Sequence, residues 1–168
     1  EHKLETIHDS VGNVIIRKRA SPGLEKAPSV CLQGHVDMVC EKDAEVVHDF
    51  EKDPIQTYIE DGWLRARGTT LGADNGIAVA TMLALLEAKD VTHGPLECLF
   101  TVDEETGLTG AFGLDTDVLK SRILLNLDSE DDGEFFIGCA GGKDTIIELQ
   151  VKTDPVPQGY KSFRMKVS

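Results

Sequence analysis

The chain has 168 residues, with 17 Lys and Arg against 30 Asp and Glu, and so carries a net charge of −13. That length suits one domain with a buried core, and no run approaches the ~18 apolar residues of a membrane span. The acidic excess argues against nucleic-acid binding, which rests on Lys and Arg neutralising phosphates, and against adsorption to an anionic membrane. Its glycines follow no period, which excludes collagen, and no internal repeat is present.

In chain order, Lys3–His8 gives no helix start signal, and Val11–Lys18 alternates as a strand does after a Ser-Val-Gly-Asn turn. Ala20–Pro28 is a loop punctuated by Pro22, Gly23 and Pro28. Val30–Gln33 is a short, mostly apolar strand ending at Gly34-His35-Val36-Asp37. Ile55–Glu60 and Trp63–Ala66 flank Asp61-Gly62, a hairpin signal because both turn positions need positive φ. Asn75–Lys89 is a helix apolar nearly all round and is expected to be buried. Leu96–Val102 and Ile123–Leu127 are further strands in near-continuous apolar runs, with a weak helix over Thr116–Arg122 between them. Such runs predict an α/β fold with a mostly parallel central sheet flanked by helices.

Cys31, Cys40, Cys98 and Cys139 have no zinc-finger spacing, and Cys31 and Cys98 fall inside apolar runs. Reduced thiols and a cytoplasmic setting follow, since a chain of this size needs no disulfide staples. No signal-peptide core is present. The chain begins at Glu1 rather than Met, and the alternating Tyr160–Val167 segment stops at Ser168 without a turn or cap, so both ends read as cut from something longer.

The acids are unevenly spread. Residues 103–134 hold ten of them (Asp103, Glu104, Glu105, Asp115, Asp117, Asp128, Glu130, Asp131, Asp132, Glu134) and only two bases, Lys120 and Arg122. A solvated face accounts for Glu130–Glu134. The others call for more. His35 and Asp37, Glu104 and Glu105, and Asp128 each follow an inner strand, and Asp74 precedes the apolar helix. In open α/β sheets ligands bind outside the carboxyl ends of the strands, so these six residues are expected to converge on one edge. Taken singly, each has an ordinary explanation: a structural His-Asp pair, an N-cap at Asp74, a turn at Asp128-Ser129, a solvated Glu-Glu-Thr-Gly loop. Five crowded carboxylates raise one another's pKa unless a cation holds them, and a His among them suits zinc, manganese or cobalt rather than calcium or magnesium. Alternation along a strand end would point Glu104 and Glu105 to opposite sides, one toward metal and one toward water. His2, His8, His48 and His93 have no partner pattern and are assigned to the surface.

Four ordered motifs carry a family resemblance: Gly34-His35-Val36-Asp37-Met38-Val39, Gly68–Gly76 around Asp74, Thr101–Gly107 around Glu104-Glu105, and Asn126–Asp131 around Asp128. Together they resemble the co-catalytic zinc metallopeptidase superfamily of aminoacylases, glutamate carboxypeptidases and dipeptidases. Asp128-Ser129-Glu130-Asp131 with Gly138–Gly142 is most similar to its bacterial aminoacyl-histidine dipeptidase branch. The resemblance implies that His35 and Asp128 bind one metal and Glu105 the other, with Asp74 bridging and a cis peptide following it. It assigns Glu104 as general base and Asp37 as the carboxylate orienting His35. The implied reaction is two-metal hydrolysis of Xaa-His dipeptides such as β-alanyl-histidine, with a deacylase or tripeptidase as alternative and a non-catalytic acidic metal-binding module as the remote one. It also implies a homodimer and a division into catalytic residues 1–141 and the first strands of a lid over 142–168, from Asp144 on. A further family His beyond Asp128 has no counterpart here, since the last histidine is His93, so these 168 residues alone are expected to be weakly active or inactive.

Overall fold

The computed structural model describes residues 3–129, 131, 133–139, 141–142, 145–150, 152 and 154–165. Of the residues named above, Glu1, His2, Glu130, Asp132, Ala140, Asp144, Val167 and Ser168 lie outside that set. The chain divides into two compact units, Glu1–Asp131 and Asp132–Ser168.

In the first unit, β1 (Glu5–His8) and β2 (Val14–Lys18) pair antiparallel across a turn capped by Asp9. The Asp9 carboxylate accepts the backbone N–H groups of Val11, Gly12 and Asn13 at 3.0, 2.9 and 2.8 Å. The turn thus takes Val11–Asn13 out of the strand that alternation assigned to Val11–Lys18. β3 (Val30–His35) follows a loop over residues 20–28, and β4 (Thr57–Glu60) and β5 (Trp63–Ala66) form the expected separate hairpin. Asp61 and Gly62 adopt φ of 50° and 82° at its turn.

α1 spans Ala73–Glu87 with non-helical backbone at Asp74 and Asn75, and β6 covers Leu96–Thr101. A short α2 (Thr109–Phe112) and a 3₁₀ turn (Thr116–Val118) precede β7 (Ile123–Asn126). Only that 3₁₀ turn forms in the segment expected to be helical over Thr116–Arg122.

The five-stranded sheet has the order β1-β2-β6-β3-β7. β3 pairs parallel with both β6 and β7, whereas β2 is antiparallel to both β1 and β6. The sheet is therefore mixed rather than mostly parallel, because the turn from β1 to β2 is too short for a parallel crossover. The parallel strands are the ones that end at the edge carrying the acids and histidine, and α1 covers one face of them. Ala78, Met82 and Leu86 recur at helical spacing on its inner side, where Met82 and Leu86 pack on Leu32, Cys98 and Phe100. Fully burying side chains of this size contributes about 1.5–3 kcal/mol each. On the other face Ile15, Cys31 and Leu99 pack beneath Leu114, Val118 and Leu119.

Two burial expectations are corrected. α1 is buried on one side only, with Ile77 68% and Leu83 47% exposed, because a single layer lies against it. β7 is an edge strand whose apolar Ile123, Leu124 and Leu125 are exposed. All four cysteines are free, with Cys31 and Cys98 buried. Burial pushes the Cys31 thiol up to about 12 and Cys98 up to about 11, so both are inert core groups. No helix among the described residues is long and apolar enough to cross a membrane.

In the second unit the described residues of Tyr160–Met165 form no strand, contrary to their alternation. Alternation marks a face, but a strand exists only where a neighbour takes its hydrogen bonds, and no such ladder occurs there among the described residues.

Candidate metal centre

The centre begins at the last residue of β3. His35 is 1% exposed, and its ring is held by a bond of 3.0 Å between Nδ1 and the Asp37 carbonyl oxygen. A carbonyl can only accept, so Nδ1 carries the proton. In the neutral ring this leaves the lone pair of Nε2 facing two carboxylates, Asp74 Oδ1 at 3.0 Å and Asp128 Oδ2 at 3.9 Å. That arrangement is repulsive unless a proton or a metal cation sits between them. Burial disfavours charging the ring, but Asp74, Asp128 and Asp37 outweigh it and raise its pKa. Any metal therefore competes with a proton for this position.

Asp74 lies in the non-helical start of α1, after Gly72, and the Asp74–Asn75 peptide is cis. Its side chain is 57% exposed while one oxygen stays within 3.0 Å of His35 Nε2. Asn75, buried to 3% exposure, donates through Nδ2 to Asp128 Oδ1 and to the Leu127 carbonyl, each at 3.2 Å. Its Oδ1 is buried and unpartnered, packed over Gly34. A Cβ at position 34 would come within 2.3 Å of that oxygen and 2.7 Å of the Ala78 Cβ, so only glycine lets α1 approach β3 this closely.

Asp37 has a second task. Its carboxylate accepts the backbone N–H groups of Glu104 and Glu105, each at 3.1 Å, tying the end of β3 to the turn after β6. Burial would raise its pKa, but these N–H donors, its own backbone N–H and His35 hold it below the usual value. Its Oδ1 also lies 3.4 Å from His35 Nδ1, so both carbonyl and carboxylate of Asp37 face the ring.

Glu104 and Glu105 do not follow strand alternation. β6 ends at Thr101, and a turn with Asp103 at φ 56° carries the pair instead. One oxygen from each lies with a His35 ring nitrogen inside a mutual 4.8 Å, as do ligand atoms of His35, Asp74 and Asp128. Glu104 has a raised pKa, chiefly from burial, with Asp128, Glu105 and Asp37 adding to it against His35. The structure thus brings all six residues to one edge, at the carboxyl ends of β6, β3 and β7. Asn75 was not singled out from the sequence, although an Asn beside an Asp at the start of an apolar helix is a signal. His48 and His93, expected at the surface, are half-buried: His48 packs edge-on against Phe50 and His93 Nδ1 donates to the Gly94 carbonyl.

Fold and site together are those of an α/β protein with a candidate metal centre at the carboxyl edge of its sheet. The chain belongs to peptidase family M20/M25/M40, whose model matches residues 31–163. It is 52% identical over 157 residues to the cytosol non-specific dipeptidase of Escherichia coli K12, covering 94% of this chain and 32% of that protein. The crystal structure of aminoacylhistidine dipeptidase from Vibrio alginolyticus is similar at 54% identity and a TM-score of 0.75, over 77% of this chain and 26% of that one. Aminopeptidase PepT from Bacillus cereus is more distant, at 27% identity and a TM-score of 0.61, over 77% of this chain and 35% of that one. The chain spans about a third of the length of the E. coli relative.

Proposed function

We propose that the protein is a metal-dependent dipeptidase that hydrolyses Xaa-His substrates such as β-alanyl-histidine. The observation that carries this reading is the Nε2 of a buried His35 facing the carboxylates of Asp74 and Asp128, a nitrogen and oxygen donor set that suits zinc, manganese or cobalt. His35 and Asp128 would hold one cation, Glu105 the second, and the exposed Asp74 would bridge them. When bound, two such cations polarise the scissile carbonyl and acidify the attacking water.

The chain's own residues do the rest. Glu104, whose pKa is raised, takes a proton from the attacking water as the new C–O bond forms. It then delivers that proton to the amine nitrogen as the C–N bond breaks, leaving two amino acids. Asp37 fixes the ring of His35 and the backbone of both glutamates, so donor and base keep their spacing. Residues 1–141 would form part of the catalytic domain and 142–168 the opening of a lid. The higher identity to the two dipeptidases than to the aminopeptidase PepT supports a dipeptide substrate, and the E. coli relative's name supports a cytoplasmic setting.

Stripping metal from the protein in its full natural length with a chelator is expected to abolish Xaa-His hydrolysis, and zinc, manganese or cobalt to restore it. Tripeptides and N-acyl amino acids should be cleaved more slowly. Undiminished hydrolysis by protein shown to be metal-free would refute the reading.

A further inference from the structure

The three strands that end at the centre are also joined side chain to side chain, one step behind it. Gln33 of β3 stands level with Asn126 of β7, and Thr101 of β6 level with His35. Asn126 Oδ1 accepts the backbone N–H of Asp128 at 3.1 Å, and Asn126 Nδ2 donates to Gln33 Oε1 at 2.6 Å. Gln33 Nε2 donates to Thr101 Oγ1 at 3.0 Å, and that hydroxyl donates to the Gly34 carbonyl at 3.4 Å. Every direction in this relay is forced. A backbone N–H can only donate, so the Asn126 atom facing Asp128 is its oxygen. Its nitrogen then faces Gln33, which must present an oxygen there and its own nitrogen to Thr101.

These residues are polar in largely apolar strands, and the same relay lines a cavity of about 100 Å³ that also reaches Glu104 and Asp128. Thr101 is buried to 3% exposure, Gln33 is half-buried and Asn126 exposed, so the inner links are the ones water replaces least easily. None of the three belongs to the ligand and base set assigned above.

We infer that Gln33, with Thr101 and Asn126, is a positioning residue: the relay fixes the separation of the three strand ends and so aims Asp128 at His35 and Glu104 at the reacting centre. The inference rests on the metal-dependent reading above and adds residues to it. Partners behind a metal site typically alter affinity or activity by about 10–100-fold when removed.

The test uses the full-length protein and Co²⁺, measuring its dissociation constant and visible absorption spectrum, dipeptide kcat and KM, and the melting midpoint. Gln33→Met keeps the length of the side chain and removes both hydrogen-bonding ends. It is expected to weaken Co²⁺ binding roughly 10-fold, alter the spectrum, and lower kcat more than it changes KM. Thr101→Val, nearly isosteric, should move each quantity in the same direction by less. The double variant should be no worse than Gln33→Met alone, because that change already removes both links Gln33 makes, the one to Thr101 included. Affinity and spectrum unchanged in both single variants would overturn the inference, whether or not the melting midpoint falls. Should Gln33→Met not fold, Thr101→Val carries the same two outcomes. A parent protein that binds no Co²⁺, or a His35→Ala variant that binds it equally well, would overturn the metal reading itself and the inference with it. Tight binding by the parent with unaltered variants overturns the inference alone.

Discussion

Replacing Glu104 by Gln is expected to lower kcat by roughly 10²–10⁴-fold while bound metal, KM and melting midpoint stay close to those of the parent. The amide keeps the shape of the side chain but cannot take up a proton. Two features single out Glu104 rather than its neighbour. Its carboxyl has a raised pKa, chiefly through burial, which suits a group that must both accept and return a proton. It borders the cavity that also reaches Asp128. The bond that anchors it to Asp37 uses its backbone N–H and survives the substitution. Glu105→Gln should behave differently, losing metal first and activity as a consequence. If Glu105→Gln instead lost turnover with metal retained while Glu104→Gln lost metal, the two roles would be reversed.

The second large effect lies away from the centre. Glu97, on β6, is a charged residue at 2% exposure in the core of the sheet. Its carboxylate accepts from Arg17 Nε at 2.9 Å and from the backbone N–H groups of Lys120 and Ser121, at 3.0 and 2.7 Å to Oε2. Arg17 also bonds Glu5 and the Val118 carbonyl, so one buried pair ties β1, β2 and β6 to the segment leading into β7. Glu97→Ala removes the shared acceptor and leaves the Arg17 Nε–H and two buried backbone N–H donors without it, at an expected cost of about 3–5 kcal/mol. That corresponds to a fall in melting midpoint on the order of 10 °C.

The pH dependence follows from the sign of the shift. Burial raises the Glu97 pKa, but the bonds from Ser121, Arg17 and Lys120 outweigh burial and hold it below the ordinary 4.5. A carboxyl depressed in the folded state contributes stability that is fully present above its unfolded pKa and lost as pH falls through its folded one. The gap in stability between parent and Glu97→Ala should therefore be constant at neutral pH and narrow only below about 4.5. A gap already narrowing near neutral pH, or none at any pH, would remove Glu97 from this role.

Much of the centre was legible because its residues sit at punctuation points of the chain. His35, Asp37, Glu104, Glu105 and Asp128 follow apolar runs, and Asp74 precedes one, so a parallel arrangement of three strands alone brings them together. What escaped was set by partners distant in sequence. β1 is a strand because β2 pairs with it, and nothing in Glu5–His8 announces that. The burial of α1 was overestimated because an apolar sequence states what a helix can bury, not how many layers meet it. The turn at Asp103 put Glu104 and Glu105 where alternation along a strand would have separated them. Gln33, Thr101 and Asn126 were visible only as polar residues in apolar strands, and the register of the sheet is what joins them.

The proposed pair of cations, held by these carboxylates and His35, would be seen by anomalous scattering at the zinc edge from crystals of the zinc-loaded, full-length protein. Two peaks are expected roughly 3.5–4 Å apart, one contacting His35 and Asp128, the other Glu105, with Asp74 touching both. Peaks elsewhere, or density that bypasses His35 and Asp74, would rule out the paired site.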